Sequence, residues 1–320
     1  MGKKDHIAKQ YLSKNEVFAD AFNYFLYQGR QVLHPEDLEE KSPEELMVFS
    51  HNKKLFTDER MRDILKSCTI RTTQGAILIL LGIEAQSKVH YTMPVRNLIY
   101  DAMNYIAQIE RKRSEKAIKE RFEGDLQDRF MKGEKILPVI TLCICLDTKK
   151  WDAPKSLHEM LAHTDDDILD YVEDYKLNLI SAADVEDFAK FSSKLGVVLE
   201  FIKYSTDKEK LYDIIERKEE YKKVDRDTVN MINTFTSARI PMKEQEDEID
   251  MCVAIKEMIE DGRKEGWEAG RTEGWEAGRT EGANSVVSLI RKIRSGKSRE
   301  ELIAEGADED TVDLAMEALK

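Results

Sequence analysis

Two carboxylates separated by a hairpin are the arrangement in this chain best suited to chemistry. Asp63 opens the segment "RDILKSCTIR", and Glu84, with Gln86 two positions on, closes the apolar run "AILILLGIEAQ". A short continuous apolar run bounded by turn residues reads as a buried strand, and residues two apart on a strand share a face. Glu84 and Gln86 therefore emerge together at the strand's end. The intervening "TTQGA", with Gly75 as pivot, allows an antiparallel return that brings Asp63 beside Glu84. Two carboxylates at one strand end offer hard oxygen ligands of the kind Mg2+ takes. Such an ion activates water and steadies a phosphodiester transition state. The plainer alternative is an acid at a strand start and an ordinary edge charge.

The elements that must position these groups follow from periodicity. "NEVFADAFNYFLYQ" spaces its apolar residues at three and four, giving an amphipathic helix with Asn15 as its cap and with Glu16 and Asp20 on one face. "YTMPVRNLIYDAMNYIAQIERKR" is a long helix in which Met93, Arg96, Tyr100, Met103 and Ala107 form the face packed on the sheet. Pro94 suits its first turn, and Arg96, one turn in, can point back at the strand ends. "ILPVITLCICLD" is a third strand, buried on both faces. The helix between the second and third strands lets those two lie parallel. The order is thus α, β-hairpin, α, β, an α/β core.

Arg62-Asp63, Gly82-Ile83-Glu84-Ala85-Gln86, Met93-Pro94-Val95-Arg96 and Tyr100-Asp101, taken in order, resemble the Rpn family of recombination-promoting, transposase-like nucleases. That family belongs to the PD-(D/E)XK nuclease superfamily. The likeness extends to "NEVFADAFNYFLYQG" before these motifs and to "WDAPKSLHEML" and "MCVAIKEMIEDGRKEG" after them, and so covers most of residues 10 to 265. It implies a restriction-endonuclease-like core over 1–160 and a metal-dependent DNA endonuclease linked to recombination, mobile DNA or defence. Asp63 and Glu84 would hold Mg2+ or Mn2+, and Asp20 would complete the metal shell. Arg96 would steady phosphate. Gln86 stands where the superfamily usually has Lys; an amide orients water by hydrogen bonds but carries neither charge nor a titratable proton. A second reading is therefore a catalytically weak or inactive nuclease-fold protein that acts as an oligomerising adaptor.

A charged fraction of 35% and a net charge of −13 argue against a purely electrostatic DNA binder and leave room for basic groups gathered at a cleft. "RKRSEKAIKERF", from Arg111 to Phe122, is the best basic cluster, and a solvated mixed-charge helix face is its plainer reading. Cys68, Cys143, Cys145 and Cys252 fit neither a zinc pattern nor a disulfide framework, and read as free thiols of a reducing compartment. With no apolar leader and no run long enough to span a bilayer, a cytoplasmic protein without membrane contact is expected.

Residues 161–260 read as a helical module that packs on or extends the core. Residues 261–283 carry glycine at every fourth position from Gly262 to Gly282, and the unit "GWEAGRTE" occurs twice. Each interior glycine costs a helix about 1 kcal/mol relative to Ala. The segment is thus either a close-packing surface for a homo-oligomer, with Trp267 and Trp275 at the seam, or a flexible spacer. Residues 284–320 read as a small helical tail, with Ser298 and Asp308 as helix caps.

Overall fold

A computed structural model describes residues 2–40, 64–72, 75–120, 133–162, 165–243 and 247–319. Two compact units divide it at residue 254: Met1–Ala254 and Ile255–Lys320.

The first unit is mixed α/β. Helices α1 (Lys3–Leu12) and α2 (Asn15–Tyr27) precede strands β1 (Leu38–Glu40), β2 (Ile64–Thr72) and β3 (Gly75–Gln86). Helix α3 (Met93–Glu120) then leads to β4 (Val139–Cys145) and β5 (Asn178–Ser181). The five strands form one sheet in the order β1-β2-β3-β4-β5. β1, β2 and β3 pair antiparallel, whereas β3, β4 and β5 pair parallel, the α3 crossover making the first parallel step. Helices α4 (Leu195–Tyr204), α5 (Lys208–Arg217) and α6 (Arg226–Phe235) complete the unit. The stretch read as a helical module thus extends the core, and it supplies a strand as well as helices. β5 escaped sequence reading because four residues carry too little alternation to register.

The two faces of the sheet differ chemically. On one, Ile79, Leu81 and Ile83 stand with Ile64, Lys66 and Cys68, all buried. Lys66 reaches through this layer to the carbonyl of Ser13 and to Asn15 Oδ1 at the α1–α2 junction, with its ammonium 5.3 Å above the Phe18 ring. A buried lysine is tolerated where hydrogen bonds and a ring face replace its water. Asn15 is thereby a partner for Lys66 and for the Pro35 carbonyl, at 2.9 Å, and Lys14 takes the cap position expected for it. On the other face, Leu80, Glu84 and Gln86 lie beside Val139, Thr141, Cys143 and Cys145, under α3.

Helix α2 ends in a left-handed turn, Gln28 at φ 56° and Gly29 at φ 90°. A Cβ at Gly29 would stand 2.6 Å from the Lys190 carbonyl oxygen, so this glycine serves both backbone conformation and close approach. Asp20, in the middle of α2, accepts four hydrogen bonds. Its Oδ1 receives the backbone N–H and hydroxyl of Ser192 (both 2.9 Å), and its Oδ2 those of Ser193 (2.9 and 2.6 Å). These fill the roughly four lone-pair sites of a carboxylate. Asp20, expected in the metal shell, here forms a clamp joining α2 to the approach of α4. The sequence conceals this because the donors lie some 170 residues away, with separations of 172 and 173. Asp20→Ala, by removing the acceptor of two part-buried backbone N–H groups, should lower the unfolding free energy by about 2 kcal/mol in urea titrations; a loss under about 0.5 kcal/mol would mean that the clamp contributes little.

The second unit consists of the rest of α7 (Met251–Arg294), α8 (Arg299–Ala304) and α9 (Glu309–Glu317). The glycine-bearing segment is helical throughout. Ser298 caps α8 in a capping box with Glu301, and Asp308 caps α9 by accepting from Thr311, both as expected. Leu289, Leu302, Val312 and Ala315 form this unit's own small core. Among the described residues, no helix is long and apolar enough to cross a membrane.

Candidate active site

The C-terminal end of β3 gathers the polar groups. Glu84 pairs in register with Cys143, and Gln86 with Cys145. The side chain of Glu84 is 1% exposed. A carboxylate so deep is stable only when paired or hydrogen-bonded, and the partner comes from the first turns of α3. Arg96 Nη2 lies 2.7 Å from Glu84 Oε1. Gln86 Nε2 donates to the same oxygen at 3.2 Å. One oxygen thus gathers an amide and a guanidinium, and the expectation that Arg96 turns back to the strand ends describes its placement.

Arg96 is itself held. Its Nε donates to the Tyr100 hydroxyl at 2.8 Å, one helical turn on. The next residue, Asp101, accepts from Thr141 Oγ1 on β4 and from the Tyr175 hydroxyl at 2.7 Å. Further along, Gln108 exchanges hydrogen bonds with the backbone of Leu137, and the Tyr105 hydroxyl accepts from Val139 N–H at 3.2 Å. The α3 face on the sheet therefore includes buried Asn97, Asp101, Asn104 and Gln108 beside Met93, Tyr100 and Ala107. Sequence periodicity selected Met93, Tyr100 and Ala107 correctly but missed the polar half, because amphipathic patterning treats buried Asn and Gln as surface. The side chain of Asn97, fully buried, makes no hydrogen bond among the described residues. The four-residue steps from Arg96 to Tyr100 and from Asn97 to Asp101 were the available signal.

An apolar wall backs the site. Met93, Cys143, Cys145, Trp151, Ala153 and Leu177 form one buried cluster. Burial pushes the Cys145 thiol up to about 11, so it stays protonated and unreactive at neutral pH. No cysteine is disulfide-bonded. Lys66 stands apart from the site, because its register partner Leu81 lies on the opposite face from Glu84.

Family models, curated proteins and solved structures gave no match to this chain.

Asp63 lies outside the described residues, and the basic stretch continues α3 as far as Glu120. The described ladder nonetheless ends at Ile64 opposite Ile83, and these are the chain neighbours of Asp63 and Glu84. Among the described residues, no three His, Cys, Asp or Glu side chains form a metal-binding group. Mg2+ commonly uses one or two carboxylates and completes its octahedron with water. Glu84 fits that requirement as one oxygen donor, and its cationic partner Arg96 is 34% exposed.

Arg96→Met should cost roughly 3 kcal/mol, since it strands a buried carboxylate. Glu84→Gln in the Arg96→Met background should recover at least about 1 kcal/mol, measured by denaturant unfolding. Strictly additive losses would deny the coupling.

Proposed function

We propose that this chain is a divalent-metal-dependent DNA endonuclease of the Rpn type, on a PD-(D/E)XK-like core. The observation that carries the reading is the convergence of Glu84, Gln86 and Arg96 at the end of β3, next to the parallel strand β4. An antiparallel hairpin followed by a helix and a parallel strand supports that core. Ligands of open α/β sheets favour the carboxyl ends of strands, where these groups lie.

In this reading Glu84 and Asp63 would hold Mg2+ or Mn2+. The ion, when bound, supplies charge for the scissile phosphate and acidifies water. Gln86 donates its N–H to Glu84, which directs its amide oxygen to accept a hydrogen from the attacking water. Arg96, held by Tyr100, presents its guanidinium to a phosphate oxygen, a contact for which planar donors are suited. Water adds at phosphorus and gives up its proton to solvent, one ester P–O bond breaks, and the leaving oxygen takes up a proton from solvent. Gln86 positions water without accepting its proton, so the rate rests on orientation and charge.

The adaptor reading draws on one observation: Arg96 already neutralises Glu84, leaving the site stable without a metal. Cleavage separates the two. With Mg2+ or Mn2+, purified protein should nick or linearise supercoiled plasmid, and Asp63→Ala or Glu84→Ala should slow this at least about 100-fold. Wild-type protein without activity under either ion favours the adaptor, and equal cutting by wild type and both variants rejects the site.

A further inference from the structure

We infer that residues 262–282 of α7 pair two copies of this chain in parallel, the Trp/Arg ridge of each seated in the glycine groove of the other. The inference is independent of the nuclease reading. It begins with two tryptophans, Trp267 and Trp275, each 64% exposed on a continuous helix. An aromatic of this size buries about 150–250 Å² when covered, and every residue from 259 to 285 is exposed.

Each tryptophan carries a stacked arginine, Arg271 5.3 Å from the Trp267 ring and Arg279 5.5 Å from the Trp275 ring. These four residues recur at every fourth position and so form one oblique ridge, inclined about −26° to the helix axis. The row immediately before it is all glycine, from Gly262 to Gly282. Nothing lies within 4 Å of where a Cβ would stand at any of these glycines. Ridge and groove are therefore adjacent and of the same pitch, which is the condition for packing i±4n rows against each other. The row on the groove's far side contains Glu265, Glu273 and Glu281, alternating with alanine.

Handedness decides the orientation. Turning one helix to face an identical parallel copy reverses the left-to-right order of its rows. The ridge of the first then lies over the groove of the second at the same moment that the second's ridge lies over the first's groove. Each arginine ridge is flanked by the partner's glutamate row, so charges complement as well as shapes. An antiparallel two-fold sets ridge upon ridge and leaves both grooves empty. The unit's own fold leaves the ridge and the glycine row uncovered: a 920 Å³ groove beside α9 is lined from α7 by Glu273, Glu276, Ala277, Thr280 and Glu281, among others, and by none of the ladder glycines or tryptophans. Pairing also offsets the helix cost of the glycines, about 1 kcal/mol each.

Light scattering on the full chain tests this with two variants. Gly270→Leu/Gly274→Leu fills the groove while raising helix propensity, and Trp267→Ala/Trp275→Ala removes the ridge. Wild type should have twice the 37.0 kDa chain mass, and both variants should have a single chain mass with helicity retained by circular dichroism. A one-chain mass for wild type, or a two-chain mass kept by either variant, overturns the inference. A spin label at Asn284→Cys, in a Cys252→Ser background, should report about 20 Å between copies for the parallel pair. A separation of about 40 Å overturns the parallel arrangement.

Discussion

A buried carboxylate at the end of the central strand constrains this fold more than any other single group. Glu84 sits where β3 leaves the sheet, with almost no access to water, and an unpaired charge there would cost several kcal/mol. Arg96 answers it from the early turns of α3, which fixes where that helix starts and how it is rotated. Once Arg96 faces Glu84, Tyr100 falls one turn further along to hold the guanidinium, and Asp101 falls over β4 to meet Thr141. Met93, on the preceding turn, drops into the cluster with Cys143 and Cys145. The ion pair thereby couples the crossover helix to both parallel strands, and the polar groups of the candidate site are the same groups that lock the helix in place.

The sheet separates two tasks. Its far face is an aliphatic layer traversed by Lys66, whose ammonium pins the α1–α2 junction. Its near face sets Gln86, Glu84, Thr141 and the inner polar residues of α3 beside the apolar cluster of Met93, Cys143 and Cys145. Hydrogen bonds in such a layer contribute about 1 kcal/mol each and cost more when left unmade, so the near face gains orientation at little stability. Asp20 belongs to a third task, tying α2 to residues 192 and 193 through four donors.

Much of this was legible in the sequence because the signals were local. The alternation of "GIEAQ" put Glu84 and Gln86 on one face, the apolar run of β4 implied a buried parallel strand, and the place of Arg96 one turn into its helix gave its direction. Ser298 and Asp308 declared two helix starts. Other features depend on partners distant in the chain. No pattern near Asp20 announces Ser192, none near Asn15 announces Lys66, and the short β5 becomes a strand only through its pairing with β4. The buried amides of α3 were hidden because periodicity weighs apolarity and not satisfaction of hydrogen bonds. In the glycine segment, composition alone left helix and spacer open; the structure gives a helix and arranges its glycines, tryptophans and arginines in adjacent rows.

The central claim is that Glu84, steadied by Gln86 and Arg96, is a metal ligand. Electron paramagnetic resonance of Mn2+ titrated into the full chain tests it without relying on turnover. The account predicts that wild-type protein removes the free-ion signal at millimolar or lower Mn2+ with about one site per chain, and that Glu84→Gln restores the signal while circular dichroism stays unchanged. Equal Mn2+ uptake by wild type and Glu84→Gln, or none by either, would contradict it.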